Sequence, residues 1–399
     1  MLSIPGLYEE VTAMSLFGSD YDINPKENLP YYLFLSFTQV IGIGTYRRIE
    51  ESYTSLGEFF ESGEKSWKDK KIFTDIQLKY VTQAKEVFNA QAMLERMAFE
   101  NIHYVPINSV NFPKKLENIQ NPPMGLFYIG NLPRDERLCV AVIGARECSY
   151  YGEDIAKLLG RKLAECNIDL VSGMARGIDS TAQLESVNAG GRSFAVLGNS
   201  VDYCYPREST ALYRKLCECG GIISEYPPGT KPLKRYFAMR NRIISGLSDA
   251  VVVVEAKERS GTLITVDDAL NQGKDIYAVP GRINDRTSKG CNGLIKQGAG
   301  IITDVDSFVY NLAARMYDEY MPAEKSDAAD RSVLSSEEIS FLEKIGSDSF
   351  TPDEVLKRCH LMYEDSESMT AKEAQNMCLN LCDKGILVSL GGNRFKRFV

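Results

Sequence analysis

The sequence has little of the side-chain chemistry on which many enzymes rely. Only two histidines occur among 399 residues, and the ten cysteines form no Cys-x-x-Cys pair. Neither Gly-x-Gly-x-x-Gly nor a phosphate loop ending in Gly-Lys-Ser/Thr is present, so the sequence does not support dinucleotide or triphosphate binding. No run of about 18 apolar residues occurs, which predicts that the chain does not enter a membrane.

The chain also lacks an excess of positive charge, since its 54 acidic residues outnumber its 46 basic residues and give a net charge of −8. This excludes a protein that is basic all over. It leaves room for a basic groove, because binding follows the local field. Residues 1–28 lack a basic stretch followed by an apolar core, so we expect no secretory signal and a cytoplasmic location with reduced thiols.

One group of possible metal ligands lies towards the C terminus and comprises Cys359, His360, Cys378 and Cys382. Cys378 and Cys382 would share one face of a helix, so a zinc site is one interpretation. Their spacing matches no common zinc motif, and buried cysteines are the other interpretation. We predict no metal and no cofactor.

The chain divides into segments of different character. Residues 1–102 are predicted to be helical, with Gly42 and Gly44 in a turn typical of a helix-hairpin-helix or SAM-like domain, or of a tight helix connection. Residues 317–332 are polar and small, as in a linker. Residues 333–399 contain predicted helices and a terminal hairpin, which indicates a winged-helix domain.

Residues 103–316 begin with a proline-rich segment, which predicts an irregular connector with short extended pieces. They then alternate between short apolar runs and amphipathic segments. Short strands separated by helices predict an α/β fold with a Rossmann-like parallel sheet core. The predicted strands are Cys139–Ile143, Ile168–Val171, Ser193–Leu197, Gly221–Ser224, Ala250–Val254, Ile276–Val279 and Gly300–Ile302. Ligands of such sheets bind beyond the carboxyl ends of the strands, so the residues after each run are site candidates.

The clearest of these strand ends is the basic window 227–248. It holds Lys231, Lys234, Arg235, Arg240 and Arg242 beside two aromatic residues, with no acidic residue. Cations neutralise a phosphate backbone and rings stack on exposed bases, so this combination suits single-stranded nucleic acid. The window is predicted to form a loop and a short helix between two strands, and a solvated basic loop is the alternative interpretation of its charge.

Two other strand ends are rich in glycine. Gly144, Ala145 and Arg146 follow the first predicted strand, and Ser172 and Gly173 follow the second. Both ends open into helices, glycine lets a backbone approach a ligand, and helix N termini present amides to anions. With the basic window, they predict an anion-binding edge of the sheet.

The order of these motifs resembles the DNA-processing protein A (DprA/Smf) family. The matching motifs include Gly144-Ala145-Arg146-x-x-Ser149, Ser172-Gly173-x-Ala175-x-Gly177-Ile178-Asp179, Gly220-Gly221-x-x-Ser224-Glu225, Phe237-x-x-Arg240-Asn241-Arg242 and Ser260-Gly261-Thr262. The resemblance implies a non-catalytic protein that binds single-stranded DNA, protects incoming strands in natural transformation and helps to load the RecA recombinase. It also implies a homodimer formed through the sheet domain.

The resemblance further implies a set of DNA-binding residues, namely Gly144, Ala145, Arg146, Ser172, Gly173, Lys234, Phe237, Arg240, Asn241 and Arg242. The family has Gly-Ser-Arg at the first of these sites, so alanine here loses the hydroxyl contact but keeps the amide. Lys234 and Phe237 match a phosphate contact and a base-facing ring. Leu294 and Ile295 fall in a segment that lies near the dimer contact of relatives.

Two points stay open at this stage. One of the arginines that flank Asn241 could be structural and hold the loop against Glu255 or Asp179. The protein could also belong to another class: a nucleotide-cleaving, lysine-decarboxylase-like enzyme of a related fold, or a protein-interaction adaptor. The enzyme is disfavoured because Asp267 and Asp268 diverge by about 100° on a helix and make no acid–base pair. An adaptor would bind no nucleic acid.

Overall fold

The computed structural model describes residues 25–320 without a gap and, beyond them, 335, 338–339, 341–342, 345, 350–356, 370–383, 386–391 and 394–397. The helices in these ranges are α1 Pro25–Thr38, α2 Ile43–Ser52, α3 Leu56–Asp69, α4 Asp75–Val87, α5 Ala90–Phe99, α6 Lys114–Glu117, α7 Tyr150–Glu165, α8 Ile178–Asn188, α9 Thr210–Cys219, α10 Lys234–Leu247, α11 Gly261–Asn271, α12 Lys289–Lys296, α13 Val305–Tyr320 and α14 Ala371–Asp383. No helix in the described part of the chain has the length and hydropathy of a membrane span.

A nine-stranded sheet occupies the centre of the described residues. Its strands are β1 His103–Pro106, β2 Gly125–Gly130, β3 Cys139–Ile143, β4 Asp169–Ser172, β5 Ser193–Val196, β6 Gly220–Ser224, β7 Ala250–Val253, β8 Asp275–Ala278 and β9 Gly300–Ile301, in the order β1-β2-β6-β5-β4-β3-β7-β8-β9. Seven of these strands are mutually parallel, in the sheet order β6-β5-β4-β3-β7-β8-β9. The predicted parallel sheet is therefore confirmed, with strand ends within about one residue of prediction.

β1 and β2 lie in the segment that the sequence indicated as an irregular connector. They pair antiparallel to each other, and β2 also pairs antiparallel to β6. Pro106 ends β1, and Pro122 and Pro123 precede β2. The prolines therefore stop helix formation at strand ends, where a missing amide costs no ladder hydrogen bond.

The direction of chain crossing reverses between β3 and β7. From β3 the chain moves to β4, β5 and β6, and then returns to the other side of β3 to form β7, β8 and β9. Both faces of β3 are buried: Ala141 and Ile143 join one hydrophobic cluster, and Val140 and Val142 join another. The carboxyl ends of β3 and β7 therefore open a crevice, which is where such sheets bind ligands.

The helices α1–α5 pack directly on the sheet domain. Their buried residues, such as Phe59 and Trp67, belong to the same hydrophobic cluster as Ile243 of α10. The Tyr236 hydroxyl donates a hydrogen bond to the side-chain oxygen of Gln39 across this contact, at 2.8 Å. The helix-hairpin-helix identity and the boundary at residue 102 stay predictions.

The C-terminal part departs from its prediction at one boundary. α13 continues to Tyr320, so the first residues of the predicted linker, 317–320, are helical. The rest of that linker lies outside the described residues. α14 is followed by a hairpin of β10 Leu387–Gly391 and β11 Arg394–Arg397. A helix and a hairpin were both predicted here, and the winged-helix assignment stays a prediction.

The possible zinc ligands can be placed only in part. Cys378 of α14 is buried beside Leu381 and Phe395 in the hydrophobic cluster of this C-terminal part, and burial raises the pKa of its thiol to about 12. Cys382 packs against the same cluster. Cys359 and His360 lie outside the described residues, so the choice between a zinc site and buried cysteines stays open.

Candidate nucleic-acid interface

An open groove of about 690 Å³ lies at the carboxyl ends of β3 and β7, and we call it the switch-point groove. It is bounded by the loop after β3, the first turns of α10 and the segment that joins β7 to α11. Its lining includes Gly144, Ala145, Arg146, Asp179, Tyr205, Lys234, Phe237, Arg240, Asn241, Lys257 and Ser260. The fold thus brings together strand ends that are far apart in the sequence.

Three cations of the groove face solvent: Arg146, Lys234 and Lys257. Among the described residues, no carboxylate forms an ion pair with Arg146 or Lys234. Lys257 has Glu147 as a distant partner, at 4.0 Å, but the Glu147 side chain is 92% exposed. An exposed pair of this kind contributes little and leaves the lysine available to a phosphate.

An aromatic pair lies between these cations. The ring of Phe237 is half-buried, and its centroid is 5.4 Å from that of Tyr205, with the two planes tilted by 38°. The Arg146 guanidinium carbon is 5.9 Å from the Phe237 centroid, within the range of a cation–π contact. The groove therefore presents a ring that is fixed by its neighbours and flanked by positive charge.

Three helices begin at this groove without a side-chain cap. The N-cap residues of α8, α10 and α11 are Gly177, Leu233 and Ser260, and none of their side chains accepts a hydrogen bond from the first turn. By contrast, Ser149 caps α7, because its hydroxyl accepts from the amide of Gly152. In α10 and α11 the uncapped first turns leave amides for an anion, and the helix dipoles favour negative charge at the same place. In α8, by contrast, the amides of Ile178 and Ser180 donate to the carbonyls of Ala145 and Ala175.

Arg240 lies at the floor of the groove, and its side chain is almost fully buried. It is 4% exposed, donates to the carbonyl of Val196 and interacts electrostatically with Asp179, which is 7% exposed. Burial lowers the pKa of Arg240 to about 10 and raises the pKa of Asp179, and the attraction between the two groups opposes both shifts. Gly173 is needed here, because a Cβ would collide with the Arg240 guanidinium.

Arg242 and Ser172 also have partners inside the protein. Arg242 forms two hydrogen bonds of 2.7 Å with the carboxylate of Glu225, and its Nε donates to the carbonyl of Asn121. The Ser172 hydroxyl is buried and donates to the carbonyl of Val142 at 2.6 Å. Both side chains therefore hold the loops in place.

Of the ten predicted contact residues, the groove lining contains Gly144, Ala145, Arg146, Lys234, Phe237, Arg240 and Asn241, whereas Ser172, Gly173 and Arg242 are outside it. Of the two partners that the sequence suggested for a structural arginine, Asp179 lies near Arg240. Arg242 is also structural, but its partner is Glu225, which the sequence did not suggest. The site prediction omitted Tyr205 and Lys257. Both follow strand ends, which is the signal that could have found them.

Glu255 braces the loops around the groove, as expected from the sequence. It is 3% exposed and accepts hydrogen bonds from the amide and hydroxyl of Ser149, at 2.9 and 2.6 Å. The hydroxyl of Thr287 donates to the same carboxylate at 3.3 Å. These contacts tie the segments after β3, β7 and β8 together.

Residues 103–313 match the family described as DNA recombination-mediator protein A. The chain belongs to this family. It is 41% identical over 213 residues to Protein Smf of Escherichia coli K12, a match that covers 53% of this chain and 57% of that protein. It is 42% identical over 192 residues to the DNA processing protein DprA of Streptococcus pneumoniae, covering 48% of this chain and 68% of that protein.

The X-ray structure of DNA processing protein A from Streptococcus pneumoniae has the same architecture. It superposes with a TM-score of 0.58 at 30% identity, and the match covers 76% of this chain and 98% of that one. The strands and loops that build the switch-point groove all lie within the segment that matches the DNA recombination-mediator family.

Proposed function

We propose that this protein binds single-stranded DNA in the switch-point groove and does not act on it catalytically. The observation that carries the proposal is that Arg146, Lys234 and Lys257 line one groove with the ring of Phe237, which Arg146 approaches to within 5.9 Å. Membership of a recombination-mediator family, with relatives named for DNA processing, supports it.

The groove offers separate contacts for the two parts of a nucleotide. Phosphates would meet the three exposed cations and the uncapped amides of α10 and α11. Bases would stack on Phe237 or Tyr205, which duplex DNA does not permit because its bases are already stacked on one another. Each neutralised phosphate of a single strand contributes a slope of about −0.7 to log affinity against log salt, so three contacts give about −2.

The carboxylates near the groove support binding over catalysis. Asp179 is buried, accepts from the amide of Gly173 at 3.2 Å and is countered by Arg240. Asp267 is exposed on α11 while Asp268 is half-buried, so the two diverge as the sequence predicted. These positions favour binding over a nucleotide-cleaving enzyme. The binding experiment distinguishes the proposal from an adaptor, which would bind no nucleic acid.

The wider role is also part of the proposal. Protection of incoming strands in natural transformation, help in loading the RecA recombinase and a cytoplasmic location rest on the family alone. A homodimer has local support, because Leu270 and Ile301 are 58% and 52% exposed at the β9 edge of the sheet. Leu294 lies in the same region, where it lines a smaller pocket with Leu270, and the half-buried Ile295 follows it in α12.

Fluorescence anisotropy with labelled single-stranded and duplex oligonucleotides, at two salt concentrations, tests the proposed function. The Arg146→Ala, Lys234→Ala double variant is expected to lose most single-strand affinity and to flatten the salt slope by about 1.4. A control of equal charge is Lys79→Ala, Arg214→Ala, two exposed residues on α4 and α9 that lie outside the groove. Absence of single-strand binding by the wild type, or equal loss in the control, would refute the proposal.

A further inference from the structure

A second basic and apolar surface lies beside the groove, in the segment that joins β8 to α12. We call this segment the 280–289 loop. Arg282, Arg286 and Lys289 are exposed there with one carboxylate, that of Asp285, so the loop is positive on an acidic chain. Ile283 is 82% exposed in the same loop.

The 280–289 loop is held by hydrogen bonds although its charged side chains face solvent. The amide of Ala256 donates to the carbonyl of Thr287 at 2.8 Å. The amide of Gly281 donates to the side-chain oxygen of Asn292, whose amide nitrogen donates back to the carbonyl of Gly281, at 3.2 and 2.9 Å. A loop fixed in this way loses little conformational entropy when it binds a ligand.

The loop is continuous with the switch-point groove. Lys257 lines the groove and directly follows Ala256, which is bonded to the loop. The hydroxyl of Tyr151 donates to the carbonyl of Pro280, at the start of the loop, at 3.1 Å. Its neighbour Tyr150 is 89% exposed at the start of α7. Cations and an open aromatic ring thus recur next to the groove, which is the same chemistry as in the groove itself.

We propose that a single strand bound in the groove continues past Lys257 onto the 280–289 loop, which forms a second subsite. There Arg282, Arg286 and Lys289 neutralise phosphates and Tyr150 stacks on a base. This inference rests on the proposed function. Charge complementarity and continuity with the groove favour a nucleic-acid strand over a protein partner on this surface.

The experiment compares variants over a length series of labelled oligothymidylates. The double variant Arg282→Ala, Arg286→Ala is matched in charge by Lys79→Ala, Arg214→Ala. We expect it to bind the shortest detectable oligomer like the wild type, and to lose about 1.4 from the salt slope with oligomers at the affinity plateau. Tyr150→Ala should weaken only the longer oligomers, by about 5- to 150-fold, and Tyr150→Phe should restore them.

Each outcome has a distinct meaning. A wild type that binds no length refutes the proposed function itself. Normal wild-type binding, with the arginine variant equal to its control at every length, overturns the second subsite alone. An equal loss of affinity at all lengths also overturns the second subsite, because the loop would then contact the same nucleotides as the switch-point groove. Native mass spectrometry counts protomers per strand. If the variant loses affinity only where two protomers bind one strand, the second copy accounts for the effect and the second subsite is overturned.

Discussion

The buried pair beneath the groove makes the sharpest prediction about stability. Replacing Arg240 with methionine keeps most of the side-chain volume but leaves the Asp179 carboxylate, 7% exposed, without its cation. The two groups attract each other through space but form no ion pair in the described part of the chain, so the loss should be about 1–3 kcal/mol, as for a buried polar group that loses its partner. Val196 also loses a donor to its carbonyl. We expect Arg240→Met to lower the free energy of unfolding by about that amount, measured by urea denaturation at pH 7.

The pH dependence of this loss has a definite sign. Burial already raises the pKa of Asp179 and Arg240 opposes the rise, so removing Arg240 raises that pKa further. The unfolded chain then loses the proton of this carboxyl near pH 3.9, while the folded variant keeps it to a higher pH. Stability therefore falls as pH rises from about 3.9 through the folded-state pKa. The penalty of Arg240→Met should be smaller at pH 3.5–4 than at pH 7.

A double-mutant cycle isolates the pair from other effects of the substitution. Asp179→Asn in the Arg240→Met background removes the unpaired charge and should recover part of the lost stability, with a coupling of roughly 0.5–3 kcal/mol. Arg235→Met is the control, because Arg235 is exposed on the same helix and should change stability by about 0.5 kcal/mol or less. Equal losses in Arg240→Met and Arg235→Met, or no recovery by Asp179→Asn, would refute the reasoning.

Three further substitutions test other parts of the structure. Phe237→Ala should weaken single-strand binding in anisotropy by about 1–3 kcal/mol, whereas Phe237→Tyr should keep it, and equal affinities of all three proteins would exclude stacking on this ring. Glu255→Ala removes the acceptor of Ser149 and Thr287 and should cost about 1–3 kcal/mol in urea denaturation; a wild-type midpoint would show that the brace is dispensable. Leu270→Asp should convert the proposed homodimer to a monomer in analytical ultracentrifugation, and an unchanged mass would place the contact elsewhere.

The sequence predicted the strand positions well because the central parallel strands are short apolar runs buried on both faces, as at Ala141 and Val142 of β3. The sequence predicted short extended pieces where β1 and β2 lie but did not assign them to the sheet, because prolines crowd their ends. Proline density distinguishes a helix from other structure, but it does not distinguish a loop from a short strand that ends at a proline. Pairing of β2 with β6 depends on residues about 90 positions away, which no local pattern reports.

The roles of the cations in α10 were harder to predict, since lysine and arginine look alike as charges. Once the helix is known to begin at Lys234, its period separates them. Lys234, Phe237 and Asn241 are spaced by three and four residues, so they share the face that lines the groove. Arg240 and Arg242 lie off this face and meet Asp179 and a second carboxylate in the protein. The sequence predicted a loop and a short helix here but not the residue at which the helix begins, and that hid the period.

The acidic body of the protein constrains how its basic groove can work. A chain of net charge −8 repels DNA at long range, whereas the exposed groove cations attract it only nearby. At physiological salt the screening length is about 8 Å, so a phosphate in the groove is affected mainly by Arg146, Lys234 and Lys257. At about 0.01 M salt that length grows to roughly 30 Å and the repulsion of the body reaches the strand. Attraction by counterion release and repulsion by the body then oppose each other, so lowering the salt should strengthen binding less than three phosphate contacts alone would imply.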